Sequence, residues 1–564
     1  MTDASSTAPP PEPRLASDPA RLGDRYATVV VGSGYGGAIT AARLAMRGEA
    51  VCVLERGKEW PLGSFPETGG ALAGNLRSKR HPFGLFDYYV CRDIDVLKGS
   101  GLGGTSLVNA SVAIRPDADV FDDPRWPSAL RTAASSGALW DDYGRAEQVL
   151  RVGHHPRFDG LTKVARMRAR AAAAEGAEIA PVNLAVNFDV DGVNASGAQQ
   201  HPCIDCGNCI TGCNRGAKNT LDRNYLPLAK RHGAEIFTRV EVRSVMVDPA
   251  GDGYRLTVVV RDIDGARATR TIGARRVILS AGALGSTEIL LRSAAAGLPV
   301  SSRLGHGFSG NGDYLGLAYN GEMRTDVLGF GNQPDSPRSA VAPGPTIVSV
   351  VRYDRHGPIG QRLAIEDFTT FPSGLVDLFR RTLPALALTG VDTDHGVRDK
   401  LGELQRIGRD YLRWDPDGAA NHSMVYLVMA FDDGGGTIGL DRDGKVEITW
   451  PSVRTDPVFA HIDRELEAHA RSFGATYVHL DRWNPWRGGG NLITAHPLGG
   501  CNLADDADGG VVDDRAQVYD GTGGVHAHLH VIDGAMVPMP IGVNPFLTIS
   551  ALAEHVAHRL PTLD

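Results

Sequence analysis

From Tyr26 the chain reads YATVVVGSGYGGAITAARLAMRGEAVCVLERG. A short apolar run, a glycine turn, a run of small helix-forming residues and a second apolar run, in that order, specify one βαβ unit. Residues 27–31 carry the unbroken β-branched character of a strand buried on both faces, residues 38–46 read as helix, and residues 51–54 form the second strand. Gly32, Gly34 and Gly37 have G-x-G-x-x-G spacing directly after the first strand, and Glu55 closes the second. Glycines at this spacing permit the tight turn, close backbone approach to a pyrophosphate and tight helix packing, while the helix N-terminus stabilises phosphate charge. A carboxylate at Glu55 suits ribose hydroxyls; it argues against NADP and leaves NAD and FAD open.

The rest of the chain bounds what surrounds this unit. Its 564 residues exceed one ordinary hydrophobic core, so two intimately connected domains are expected. A net charge of -8 with no basic concentration offers no surface for phosphate backbones, which excludes nucleic acid as a partner. No stretch of eighteen apolar residues is present, so no transmembrane segment is expected. Residues 1–24 are rich in Pro, Ala, Ser and charge, and lack both a signal-peptide apolar region and a twin-arginine pair. They predict a disordered tail on a cytoplasmic protein.

A second glycine-rich segment, GSGLGGTSLVNAS, occupies 99–111 and is followed by a boundary near 115. Residues 241–282 carry strand patterns and 283–293 a helix, and both are expected to rejoin the nucleotide domain. Between 315 and 490, alternating strands such as TIVSVVRYD and HSMVYLVMAF mix with Pro- and Gly-rich loops and a charged helical stretch near 396–413. HLHVIDG and NPFLTISALAEHVAHRL return to buried α/β patterning. The expected fold is therefore α/β, a Rossmann-like domain from 25–115, 200–314 and 491–564. A second, substrate-binding domain on a mixed or antiparallel sheet is expected from 116–199 and 315–490.

The N-terminal unit, the 99–111 segment, VILSAGALGSTEILLRS, LGHGFSGNGD at 304–313, AHPLGGC at 495–501 and VIDGAMVPMPIGVNPFLTISALAEHVA occur in one order. That order resembles the glucose–methanol–choline (GMC) oxidoreductases, closest in look to their cholesterol oxidase-like branch; residues 320–480 match poorly. The resemblance implies FAD as cofactor and a flavoprotein oxidoreductase that takes a hydride from an alcohol to flavin N5. Its substrate would be a sterol-like or other hydrophobic alcohol, and O2 or another electron acceptor would reoxidise the flavin. It places His496 facing the flavin, Asn544 as its companion, and Glu366 of LAIEDF as a carboxylate from the substrate domain. It makes Asp533 and Gly534 a second flavin contact, with Gly103, Gly104, Asn109 and Val242 as further FAD-contacting positions, Val242 beside the adenine.

Chemistry independent of the resemblance supports His496, since oxidising an alcohol requires loss of the hydroxyl proton and imidazole handles protons near neutral pH. Plainer roles stand beside these: His496 as a turn or packing residue, Asn544 as a turn former and helix cap before Pro545, and Glu366 as an exposed loop carboxylate. A non-redox lyase on the same fold is the alternative from another class, because fold does not fix function.

Cys203, Cys206, Cys209 and Cys213 give C-x2-C-x2-C-x3-C, the iron–sulfur spacing of bacterial ferredoxins, with Asn214 in place of the usual proline. In ferredoxins the fourth cysteine serves a second cluster, and no second run exists here. A single cluster would need an adjusted loop, a remote ligand such as Cys91, or three irons. An iron–sulfur dehydrogenase passing electrons to a protein acceptor, a structural zinc site, and a thiol-rich or disulfide-bridged loop all remain open. His526, His528 and His530 alternate along the last strand and are read as a mixed-polarity strand rather than as metal ligands.

Overall fold

The computed structural model describes residues 13–251, 253–263, 266–333, 335–336, 341–368, 372–394, 396–412, 415–479 and 492–563. The first βαβ unit consists of β1 (Arg25–Val31), α1 (Tyr35–Met46) and β2 (Val51–Leu54). β1 lies parallel to β2 on one side and to the strand Arg267–Leu279 on the other, with Val29 opposite both Cys52 and Val277. Glu235–Phe237 extends the sheet beyond β2. Val525–Val531 extends it beyond Arg267–Leu279, with Gln517–Tyr519 outermost. Neighbours on both sides and cover on both faces account for the unbroken apolar runs: Val29 to Val31 and all of Val51–Leu54 are buried. Val240–Val247 and Tyr254–Arg261 fold back antiparallel from Arg267–Leu279.

α1 packs against the C-terminal helix Phe546–Arg559. Arg43 on α1 donates twice to the buried Glu554, from Nε and from the second guanidinium nitrogen, each at 2.7 Å. The planar fork matches both carboxylate oxygens, so the pair fixes the angle between the helices as well as their contact.

A second sheet of six strands is antiparallel throughout. Its order is Thr476–His479, Tyr314–Tyr319, Met424–Ala430, Leu363–Phe368, Ser349–Tyr353 and Ala177–Pro181. Helices Pro457–Arg471 and Thr162–Ala172 cover it through Ile462, Leu466 and Met167. Among the described residues no helix is long and apolar enough to cross a membrane.

Two expectations are corrected here. Residues 13–24 are packed rather than a free tail: Ser17 N–H donates to Ile236 at 2.7 Å, Leu15 N–H donates to Glu59 at 2.8 Å, and Leu22 is buried. The segment covers the open edge of Glu235–Phe237, whose unpaired backbone groups need partners; residues 1–12 lie outside the described residues. Residues 118–150 join the nucleotide domain rather than the substrate domain. Trp126, Leu130, Leu139 and Tyr143 share its core. Helix Ala138–Leu150 lies on the C-terminal helix, with Tyr143 Oη donating to Thr548 at 2.8 Å and Asp142 meeting His555 at 2.8 Å. The C-terminal helix is apolar on more than one face and needs this second cover.

The glycine turn is closed by backbone contacts. A Cβ on Gly36 would lie 1.6 Å from the Ile532 carbonyl oxygen, and one on Gly37 would lie 2.1 Å from that of Gly32. A Cβ on Gly34 meets nothing within 4 Å. Gly36→Ala is expected to destabilise the protein by about 3 kcal/mol or more, because the obstacle is backbone. Gly34→Ala is expected to cost no more than about 1 kcal/mol, the loss of a favoured N-cap residue with no steric clash added. Urea denaturation of the two variants checks this; equal midpoints would contradict the close approach.

Candidate active site

The C-terminal ends of β1, β2 and Arg267–Leu279 open onto a cavity of about 1640 Å3 between the two sheets. That exceeds the roughly 300–1,000 Å3 of an ordinary ligand pocket and leaves room for a dinucleotide beside a substrate. Gly34 is the N-cap of α1 and offers no side-chain cap, so the first helical amides face the cavity unsatisfied, as an anion site requires. The open space at Gly34 leaves room for a phosphate to approach the backbone. Glu55 stands at the cavity wall, its Oε2 accepting from Ser33 Oγ at 2.6 Å and its Oε1 from Gly57 N–H at 2.7 Å. These contacts hold the carboxylate where ribose hydroxyls would reach it.

Gly32, Gly104, Asn109, Val242, Asp533 and Gly534 also line this cavity. Gly37 and Gly103 do not; they work from behind it. Gly37 packs on Gly32, and Gly103, at φ 107°, donates its N–H to Ser33 Oγ at 3.0 Å. Asp533 accepts from Gly282 N–H, Ser286 Oγ and Ala535 N–H at 2.8, 2.5 and 2.8 Å, so it joins the helix start at Gly282 to the end of Val525–Val531. Burial raises its carboxyl pKa against the pull of these donors. The donor set fits FAD: open helix amides for the diphosphate, Glu55 for the ribose, Val242 and its strand at one end, and Asp533 with Gly534 further along.

At the other end of the cavity His496 and Asn544 both line the wall. The His496 ring meets Asp313, Nδ1 to Oδ1 at 2.7 Å. A carboxylate oxygen only accepts, so Nδ1 carries the hydrogen and Nε2 is the nitrogen left to take a proton. Asp313 is itself held by Thr494 Oγ1, Ala495 N–H and His496 N–H, all donating to Oδ2 at 2.9 to 3.1 Å. Two residues earlier, buried Asn311 accepts from Ile541 and Gly542 N–H at 2.9 and 3.2 Å and donates to the Val543 carbonyl at 2.8 Å. One turn therefore fixes both the His496 loop and the segment bearing Asn544.

That turn is tightly built. A Cβ on Gly312 would lie 2.6 Å from the Ala430 backbone, and Gly312 N–H and Ser309 Oγ donate to Asp432 at 2.8 and 2.9 Å. Burial nevertheless pushes the Asp432 carboxyl up to about 7. Asn311 and Asp313 were not singled out from the sequence, although their block was; a polar N-G-D triplet inside a glycine-rich block is the signal that marks them.

Glu366 is on no exposed loop. It lies mid-strand in Leu363–Phe368, fully buried, with Oε2 accepting from Asn544 Nδ2 at 3.2 Å. It stands behind Asn544 rather than in the cavity wall. Burial, together with nearby Asp367 and Asp313, raises its carboxyl well above the usual range against the pull of the Asn544 amide. Neither Glu366 Oε1 nor Asn544 Oδ1 has a protein partner. The substrate-domain arm of the cavity is apolar, faced by Leu315, Leu317, Phe368, Phe379, Val425 and Leu427.

Cys203, Cys206, Cys209 and Cys213 are all free thiols lining a separate small cavity, which removes the disulfide alternative. Cys91 is no remote ligand; it is buried in another cluster with Ile94, Phe308 and Trp450. His526 and His530 are occupied by the carbonyls of Pro299 and Arg515, at 2.6 and 3.1 Å.

Family models described as GMC oxidoreductase match residues 67–308 and 469–553. A cholesterol oxidase of Acinetobacter baumannii is 28% identical over 565 residues, covering 95% of this chain and 94% of its own. A long-chain-alcohol oxidase of Arabidopsis thaliana is 24% identical, covering 95% of this chain and 67% of its own. The crystal structure of pyridoxine 4-oxidase from Mesorbium loti shares the fold at a TM-score of 0.54 and 16% identity, covering 95% of this chain and 99% of its own. Glycine turn, cavity and family models span the two ends of one polypeptide, and the chain belongs to the GMC oxidoreductase family.

Proposed function

We propose that this oxidoreductase oxidises a hydrophobic, sterol-like or long-chain alcohol to the carbonyl, with O2 or another electron acceptor completing the cycle. The observation that carries the reading is the convergence of His496 and Asn544 on the cavity that also holds Gly34 and Glu55, at the foot of an apolar arm. FAD, when bound, supplies the hydride acceptor. The chain's residues do the rest. Gly34 and the first amides of α1 bind the diphosphate, and the apolar arm seats the hydrocarbon and excludes water. His496 Nε2 takes the hydroxyl proton, and Asp313 stabilises the imidazolium that results. Asn544 orients the substrate oxygen without adding charge. Glu366, held protonated by its surroundings, positions the Asn544 amide.

Mixed anaerobically with sterols, long-chain alcohols and sugar alcohols, the protein should lose its flavin colour with the first two classes. A lyase would turn over with the flavin oxidised throughout. His496→Ala is expected to slow flavin reduction by about 10²- to 10⁴-fold with flavin content unchanged. Asp313→Asn, which donates to Nδ1 and favours the wrong tautomer, is expected to slow it by about 10²-fold or more. An unchanged rate in His496→Ala would remove His496 as the base.

The buried Glu366 gives a pH-dependent stability. A carboxyl raised above its unfolded value of about 4.3 contributes most to stability below that pH, and loses this contribution as pH rises toward the native value. Glu366→Gln keeps the acceptor for Asn544 and removes the titration. The variant should therefore gain on the native protein above about pH 5, approaching about 1.4 kcal/mol per pH unit while the native carboxyl stays protonated. Denaturation midpoints of both proteins between pH 5 and pH 8 read this out, and a gap that does not widen would show the carboxyl ionised in the fold.

A further inference from the structure

Asp432 has no part in the reaction as assigned above, yet it is a buried carboxyl set against the turn that positions His496 and Asn544. The turn runs over residues 310–313 and is closed by Asp313 N–H donating to the Gly310 carbonyl at 3.2 Å. Both of its central residues are left-handed, Asn311 at φ 59° and Gly312 at φ 63°. Asparagine and glycine tolerate this pair of conformations better than other residues. The geometry persists because the surroundings determine it.

Much of that hold comes from Asp432, which lies just beyond the strand Met424–Ala430. Its Oδ2 accepts from Gly312 N–H at 2.8 Å and from Ser309 Oγ at 2.9 Å, and its Oδ1 accepts from Gly434 N–H at 3.0 Å. Ser309 Oγ in turn accepts from Asn311 N–H at 2.8 Å, so the hydroxyl extends the grip to the first residue of the left-handed pair. Ser309 also exchanges both backbone hydrogen bonds with Leu498, two residues beyond His496, each at 3.0 Å. Among the described residues no basic side chain pairs with Asp432. Burial pushes its carboxyl up to about 7 against the pull of its donors, and the adjacent Asp433 acts in the same direction. An asparagine would be less unfavourable to bury, but its single oxygen cannot meet donors aimed at both carboxylate positions.

We infer that Asp432 is a positioning residue for the alcohol oxidation: with Ser309 it locks the 310–313 turn, and the turn fixes Asp313 against His496 and Asn311 against the segment before Asn544. Asp313 Oδ1 stands 2.7 Å from His496 Nδ1, and Asn311 bonds Ile541, Gly542 and Val543. A turn that opened would release both supports together. A misplacement of about 1 Å at a reacting group can slow a reaction by about 10²-fold. The apolar arm is built from other residues, so the loss falls on the rate and not on substrate affinity. This inference rests on the assignment of His496 as the proton acceptor.

Asp432→Ala should slow anaerobic flavin reduction by a long-chain alcohol or a sterol by about 10- to 100-fold, with FAD content kept. The alcohol concentration that gives half the maximal rate should change less than about three-fold. Asp432→Asn keeps an acceptor for Gly312 and Ser309 and should return most of the native rate. Nitrogen-15 resonance of histidine-labelled protein supplies a readout without turnover, the His496 ring being identified by its absence in His496→Gln. The ring should hold its hydrogen on Nδ1 in the native protein and in Asp432→Asn, and lose that single tautomer in Asp432→Ala. Should Asp432→Ala not fold, Ser309→Ala cuts the same link at the hydroxyl and carries the same expectations. Folded Asp432→Ala with the native rate per bound flavin and an unchanged His496 ring would overturn the inference, as would a loss confined to FAD content or to the half-saturating concentration. His496→Ala measured alongside separates the two readings. An unchanged rate there overturns His496 as the base, whereas a slowed His496→Ala beside an unchanged Asp432→Ala overturns only the role of Asp432.

Discussion

No side chain fits at Gly36. Its Cα lies so close to the end of Val525–Val531 that a Cβ would stand 1.6 Å from the Ile532 carbonyl oxygen, and Gly32 meets Ser280 almost as tightly. Three pieces of chain far apart in sequence thereby meet backbone to backbone at one point: the first glycine turn, the end of Arg267–Leu279 and the last strand. The cavity exists because that point is closed from below, leaving the helix amides of α1 free on the open side. Arg43 and Glu554 set the neighbouring helix contact, and the C-terminal helix in turn carries residues 118–150.

A second constraint acts at the far end of the cavity. Asn311 and Asp313 sit two residues apart on a turn that cannot widen, since Gly312 touches the Ala430 backbone. Asp313 sets the tautomer of His496 while Asn311 holds the loop segment before Asn544. The two side chains assigned to the reaction are thus positioned by one element, which lies at the start of the second sheet. Behind Asn544, Glu366 carries a carboxyl that burial favours in its neutral form, so the site gains a hydrogen-bonding neighbour without a second negative charge beside Asp313.

The nucleotide half was readable because its requirements are local. A strand buried on both faces must be apolar throughout, a glycine turn needs its glycines at fixed offsets, and both appear as runs of neighbouring residues. Gly32, Gly34 and Glu55 could be placed from spacing alone, and His496 and Asn544 through a resemblance carried by contiguous motifs. Glu366 fared differently. LAIEDF reads equally well as an exposed loop or a buried strand, and only the pairing of its neighbours Val350 and Leu427 buries it.

The sequence by itself determined the βαβ unit, the alternating strands of a second sheet and the ferredoxin-like spacing of the cysteines, because each is written in adjacent residues. Only the tertiary structure decided which domain owns residues 118–150, that residues 13–24 cover a sheet edge, and that Asp313 serves His496. It also decided that four thiols stand around one small cavity. These are contacts between segments tens to hundreds of residues apart, and no local pattern of hydrophobicity or spacing encodes a partner at that distance.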